Sequence, residues 1–137
     1  MHRPLLCAAL LAVALGAAAC DDTEELTPVD PNPTEITEPV FTGRLAINGS
    51  VTTAFDSVSA GTVTAIIDTL EPSSVAIGVV LGVWNGTSCE NVVVNDNAGV
   101  GGGVAGYANG AGHLCARAFD AGRLTEPVNF SITIKHH

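Results

Sequence analysis

From Val40 to His137 no stretch sustains a 3.6-residue apolar period. Short runs of Val, Ile, Thr and Phe alternate instead with turn residues, which excludes a helical fold and points to strands. The clearest run is Val128–Lys135, where Val128, Phe130, Ile132 and Ile134 occupy one parity and Asn129, Ser131, Thr133 and Lys135 the other. Successive strand side chains point to opposite faces, so one parity lies inward and the other meets solvent. In the same way Val63, Ala65 and Ile67 share a face opposite Thr62, Thr64 and Asp68.

The punctuation between runs sets the remaining strands. The pattern predicts a strand over 41–47, closed by Asn48-Gly49 as a hairpin signal, then 51–58. Ala60-Gly61 turns the chain into 62–70, and Glu71-Pro72-Ser73-Ser74 breaks it before 75–84. Asn85-Gly86 is a second turn, followed by a short strand over 90–94 and a polar, Gly-rich loop over 95–103. A strand over 104–108, a stronger one over 113–120 and the run at 128–135 complete the set. Seven to eight strands at this spacing describe an antiparallel β-sandwich or jelly roll.

Residues 1–19 read as a bacterial export signal, with Arg3 in a short positive region, an apolar stretch over 5–15 and Gly16-Ala17-Ala18-Ala19 before Cys20. The apolar stretch is shorter than the roughly 20 residues a spanning helix needs. The run ending in Ala17-Ala18-Ala19-Cys20 resembles a lipobox, in which the cysteine becomes the lipidated first residue. Ala17-x-Ala19 also satisfies ordinary signal peptidase, which would release a secreted protein. Lipidation at Cys20 is the expectation, placing the chain on a membrane facing the periplasm or cell surface.

Residues 20–39 then change character. Seven acids and four prolines (Pro28, Pro31, Pro33 and Pro39) occur here without one basic residue. Proline blocks helices and sheet ladders while like charges repel, so an extended tether is expected, followed by a domain over 40–137. Half of the fourteen acids therefore belong to the spacer. With only five Lys and Arg in the whole chain, nucleic acid is excluded as a partner.

Of the four cysteines, Cys7 leaves with the signal and Cys20 takes the lipid. Cys89 and Cys115 remain, in a compartment that permits disulfides. Their bridge would close a loop of about 27 residues, contributing about 3–4 kcal/mol in the chain-entropy model. Neither belongs to a C-x-x-C pair, so a zinc site is disfavoured.

A longer pattern runs through the domain: Gly43-x-Leu45, Asn48-Gly49-Ser50, Ala60-Gly61-Thr62-Val63-Thr64-Ala65, and Leu81-Gly82-x-Trp84-Asn85-Gly86-Thr87-x-Cys89. It ends with Gly112-x-Leu114-Cys115-x-Arg117-x-Phe119-Asp120-x-Gly122-x-Leu124-Thr125-x-Pro127. The pattern resembles bacterial pre-peptidase C-terminal (PPC)-like β-sandwich domains over about residues 41–136. The shared elements are turn glycines, core positions and the cysteine pair, so the resemblance speaks to fold and not to chemistry. It implies a non-catalytic module of the kind that accompanies exported peptidases, with a role in secretion, localisation or binding. No peptidase accompanies it in this sequence, and Gly101-Gly102-Gly103 departs from the family's strand pattern.

Candidates for chemistry are few. A hydrolase needs a nucleophile, a base and an orienting acid, but His113 opens a strand and Ser57 and Ser59 sit in no G-x-S-x-G elbow. Gly101-Gly102-Gly103 lacks the Lys-Ser/Thr of a phosphate loop. Asp96, within Asn95-Asp96-Asn97, and Asp120 are calcium candidates by donor type, without D-x-D-x-D-G spacing. Asn and Asp also favour turns for backbone reasons. Trp84 is the ligand-binding candidate, with Tyr107 the second, since carbohydrate-binding sandwiches stack sugars on exposed aromatics. Core packing is the competing and favoured role, because six aromatics are few for a core of this size. His136-His137 reads as a solvated pair. The Asn-x-Ser/Thr triplets at 48, 85 and 129 read as turn and strand residues. The sequence thus points to a non-enzymatic, lipid-anchored envelope protein without a cofactor, whose partner is an envelope protein or polysaccharide. A carbohydrate-binding module is the alternative, and a small hydrolase a third class.

Overall fold

The computed structural model describes residues 33–137, and the expected export signal, Cys20 and the expected tether up to residue 32 lie outside the described residues. Nine strands form two antiparallel sheets: β1 Ile36–Thr37, β2 Phe41–Leu45, β3 Ser50–Ser57, β4 Gly61–Glu71, β5 Ile77–Trp84, β6 Cys89–Ala98, β7 Gly103–Ala108, β8 Gly112–Phe119 and β9 Val128–His136. One sheet has the order β1-β9-β4-β7, with β2 also pairing β9, and the other has the order β3-β8-β5-β6. Most connections therefore cross from sheet to sheet, which is the jelly-roll arrangement of two interlocked Greek keys.

The alternating runs fall as expected. Val128, Phe130, Ile132 and Ile134 of β9 are buried, and they meet Val63, Ala65 and Ile67 of β4 and Val79 and Leu81 of β5 in one inter-sheet core. Phe41 packs edge-on against Phe130, with centroids 5.1 Å apart, an arrangement that adds about 0.5–1.5 kcal/mol to simple burial. A bulge between Ile67 and Thr69 inserts Asp68 into β4 and resets the alternation, so Leu70 turns inward. Proline and the two serines of 72–74 separate β4 from β5, beginning with a cis Glu71-Pro72 bond.

Four expectations change. Residues 36–39 do not continue the tether: β1 pairs with β9, Ile36 opposite His136, and the Glu38 N–H donates to the Ile134 carbonyl. The free edge of β9 offers hydrogen bonds that an isolated acidic segment lacks, and this ninth strand raises the expected count. Asn48-Gly49 makes no hairpin. Asn48 adopts φ 55° and the Gly49 N–H donates to the Ala46 carbonyl, but the turn carries the chain to the other sheet. The partners of β2 and β3 are β9 and β8, brought from the far end of the sequence. The polar loop expected over 95–103 shrinks to 99–102, because Asn95, Asp96 and Asn97 continue β6 through a bulge. Gly103 begins β7, where a β-carbon would lie 2.0 Å from the Ala65 carbonyl oxygen, so only glycine fits against β4. Last, His136 is not solvated: it is 1% exposed and its ring lies against Phe55.

The register defines two ends. The near end gathers β1, the close of β3, the start of β4, the β5–β6 hairpin, the β7–β8 loop and His137. The far end holds the turn at 46–49, the cis-proline loop, the glycine loop at 99–102 and residues 120–127. The chain enters the domain at the near end.

Candidate functional site

At the near end the two sheets part along the seam between edge strands β6 and β7. The result is a cleft of about 390 Å³, with Val63, Leu81 and Leu114 inside and Gly106 opposite Val93. The fold makes this space by local economy of side chains. The loop joining β7 to β8 is Asn109-Gly110-Ala111, and Gly112 follows it, so nothing bulky closes the mouth. Val83, Val92 and Tyr107 line the mouth and stay in solvent, Val92 at 69% and Tyr107 at 68% exposure. Elsewhere the exposed large apolar side chains, Val40, Ile47, Val58, Val94 and Val100, lie outside the cleft, whereas these three share one concave rim.

The rim also carries one polar pair. The His113 Nδ1 lies 2.5 Å from Asp56 Oδ1, cross-strand neighbours on β8 and β3, and both side chains are exposed. Such a pair fixes the ring's orientation as a catalytic dyad would, but the pair stands in water. Ser57, next to Asp56, is buried, and its hydroxyl lies 2.8 Å from the Ser59 carbonyl and 2.9 Å from that of His137. It donates to the backbone, and the His137 oxygen also accepts the Val58 and Ser59 N–H groups. Ser57 thereby holds the end of β9 against β3.

Cys89 and Cys115 form a disulfide. They lie on β6 and β8, the two strands flanking β5, so the bridge spans the outer face above Gly82. A β-carbon at Gly82 would stand 2.1 Å from the Glu90 carbonyl oxygen and 3.1 Å from the Cys89 sulfur. Glycine at this position lets β6 curl over β5 far enough for the bridge to close. Trp84 and Phe119 pack against Val80 and the two cysteines. Trp84 thus covers the disulfide on the outer face; it belongs neither to the inter-sheet core nor to an open platform.

The calcium candidates hold the far end together. Asp120 Oδ2 accepts the Asn48 N–H at 2.8 Å, and Oδ1 accepts the N–H groups of Gly122, Arg123 and Leu124. The Asn48 hydrogen bond, helped by the other three, holds the Asp120 carboxyl below the usual aspartate range. Arg123 reaches from there to β6: its guanidinium donates to the Asp96 carbonyl and stands 4.0 Å from the Asp96 carboxylate. Both aspartates are thus tied to Arg123, and among the described residues no three His, Cys, Asp or Glu converge. Lys135, beside Glu35, holds that carboxyl below the usual range, and His136 Nε2 lies 2.7 Å from Glu38 Oε1.

Sequence reasoning missed the cleft. Its one local signal was Tyr107 on a short glycine-containing strand, and the apposition of β6 and β7 supplies the rest. No protein-family model matches this chain, and no curated protein matches it.

Proposed function

We propose that this chain is an exported, non-enzymatic protein of the cell envelope, anchored by a lipid on Cys20 and presenting the jelly roll as a binding or structural module. The acidic segment serves as its tether, and the PPC-like pattern of residues 41–136 supports an accessory role. The observation that carries this reading is the contrast in side-chain use. The hydroxyl of Ser57 and the carboxylate of Asp120 are engaged by the fold's own backbone, while an apolar cleft, with the His113–Asp56 pair on its rim, is open to solvent. Apolar clefts with few polar groups suit binding. Palmitate labelling and membrane fractionation test the anchor: Cys20→Ala is expected to lose the label and leave the membrane fraction. Retention of Cys20→Ala in membranes would refute it.

A second reading, a carbohydrate-binding module, draws on the exposure of Tyr107 beside Asn109 at the cleft. Here Tyr107, rather than Trp84, offers the open ring face. A polysaccharide pull-down is expected to fail with Tyr107→Ala and persist with Trp84→Phe. Equal retention of the wild type and Tyr107→Ala removes this reading.

A further inference from the structure

We infer that the near end of the jelly roll is a membrane-docking surface, in which Val83, Val92 and Tyr107 at the cleft mouth, with Val58 at the same end after β3, enter the interface of the bilayer that carries the anchor. The inference rests on the anchoring proposed above and adds an orientation to it.

Three observations lead there. First, the chain enters the fold at this end, through β1 paired to the last residues of β9. From Cys20 to Pro33 is thirteen residues. Even fully extended, that length spans at most about 45 Å, so the near end is the part of the domain the anchor keeps closest to lipid. A tether of this length holds a surface at an effective concentration on the order of millimolar, so a contact too weak to bind from solution is still populated.

Second, the exposed side chains at this end have the right chemistry. Val58, Val83, Val92 and Tyr107 are all exposed. Tyrosine favours the headgroup level, with its ring toward the chains and its hydroxyl toward water. The valines add apolar area that water gains by releasing.

Third, the acids of this end already face donors of the protein. Glu35 meets Lys135, Glu38 meets His136, Asp56 meets His113 and Glu90 accepts from the Asn85 side-chain amide. Among the described residues the one Lys or Arg at this end, Lys135, is paired with Glu35, so docking is apolar and insensitive to salt.

Trp84 is the only tryptophan of the chain and closes β5 at this end, on the outer face beside the disulfide, so its emission reports how near this end comes to lipid. The chain from Cys20 onward is coupled through the Cys20 thiol to a maleimide lipid in phosphatidylcholine vesicles with brominated acyl chains. Coupling supplies the anchor whatever the cell does with Cys20. The expected result is quenching of Trp84 emission in the coupled protein that persists in high salt. The same quenching falls severalfold in Val92→Asp/Tyr107→Asp coupled to the same level. An unchanged thermal midpoint and vesicle-free emission show that this variant folds.

Unquenched emission from the coupled wild type overturns the inference, as does equal quenching of the variant. So does a concentration-dependent dimer of the uncoupled chain that Val92→Asp dissolves, which assigns the rim to a second copy. Absence of palmitate on Cys20 in cells overturns the anchoring itself. Labelled Cys20 with unquenched Trp84 overturns only the docking, so the two failures are told apart.

Discussion

The near and far ends of this jelly roll are held by different chemistry. The near end is fastened by the Cys89–Cys115 bridge across β5 and leaves valines and a tyrosine in solvent. The far end is fastened by one carboxylate, Asp120, whose oxygens gather N–H groups from residues 48 and 122–124. A covalent link is indifferent to pH but sensitive to reductant; a carboxylate responds in the opposite way. The difference shows how one small core can support an open apolar mouth. Strands spread around a cleft lose contacts across it, and a bond between their neighbours restores the constraint.

The sharpest way to break this arrangement is to remove the bridge. Cys89→Ala/Cys115→Ala is expected to cost about 3–4 kcal/mol, on the order of 15–25 °C in thermal midpoint for a domain this size. Hydrogen exchange in the reduced wild type should rise first in β5 and β6 and leave residues 120–124 protected. If both ends open together, the contrast between them is wrong.

Gly82→Ala comes next, because its β-carbon would press on the Glu90 backbone, which cannot swing aside. A loss of about 2–3 kcal/mol is expected by urea denaturation, with slower closure of the disulfide on reoxidation. An unchanged midpoint would mean that β6 curls without help from glycine.

At the other end, Asp120→Ala is expected to cost about 1 kcal/mol, a charge-assisted hydrogen-bond set discounted for its solvent exposure. The pH dependence has a definite sign. The folded carboxyl titrates below its unfolded value near 3.8, so its contribution is complete above that value and is lost as pH falls through the lower, folded one. Asp120→Asn should therefore narrow its deficit relative to wild type as pH falls below about 4, where the unfolded carboxyl takes up its proton first, and close it once pH has passed the lower, folded value. A deficit constant down to pH 2 would place the stabilisation elsewhere.

The smallest effect on folding belongs to the rim. Val92→Asp and Tyr107→Asp should each change stability by no more than about 0.5 kcal/mol, since these side chains make little of the core. A larger loss in thermal denaturation would show that the rim supports the fold.

The legible part of this protein is the part that depends on neighbours in sequence. Which of Val128–Lys135 face inward follows from the pleat alone, and Val63, Ala65 and Ile67 follow for the same reason. The Cys89–Cys115 pairing is legible as the pair left when Cys7 is read as part of an export signal and Cys20 as a lipidation site. Turn chemistry was readable as a change of direction at Asn48-Gly49 and Asn85-Gly86, but only the second closes a hairpin within one sheet. A turn dipeptide sets local backbone angles, whereas the choice of partner strand is made by burial across the whole core.

For that reason the sequence by itself determined the strands, their buried faces and the class of fold. Tertiary structure alone decided that β2 joins β9 and that Ile36–Thr37, expected within a tether, pairs into the sheet. It also decided that His136 is buried against Phe55 and that Asp120 serves the backbone. The cleft belongs to the same class of fact. It exists because β6 and β7 are edges of different sheets, and the separation of two edges is a property of packing that no run of residues encodes locally.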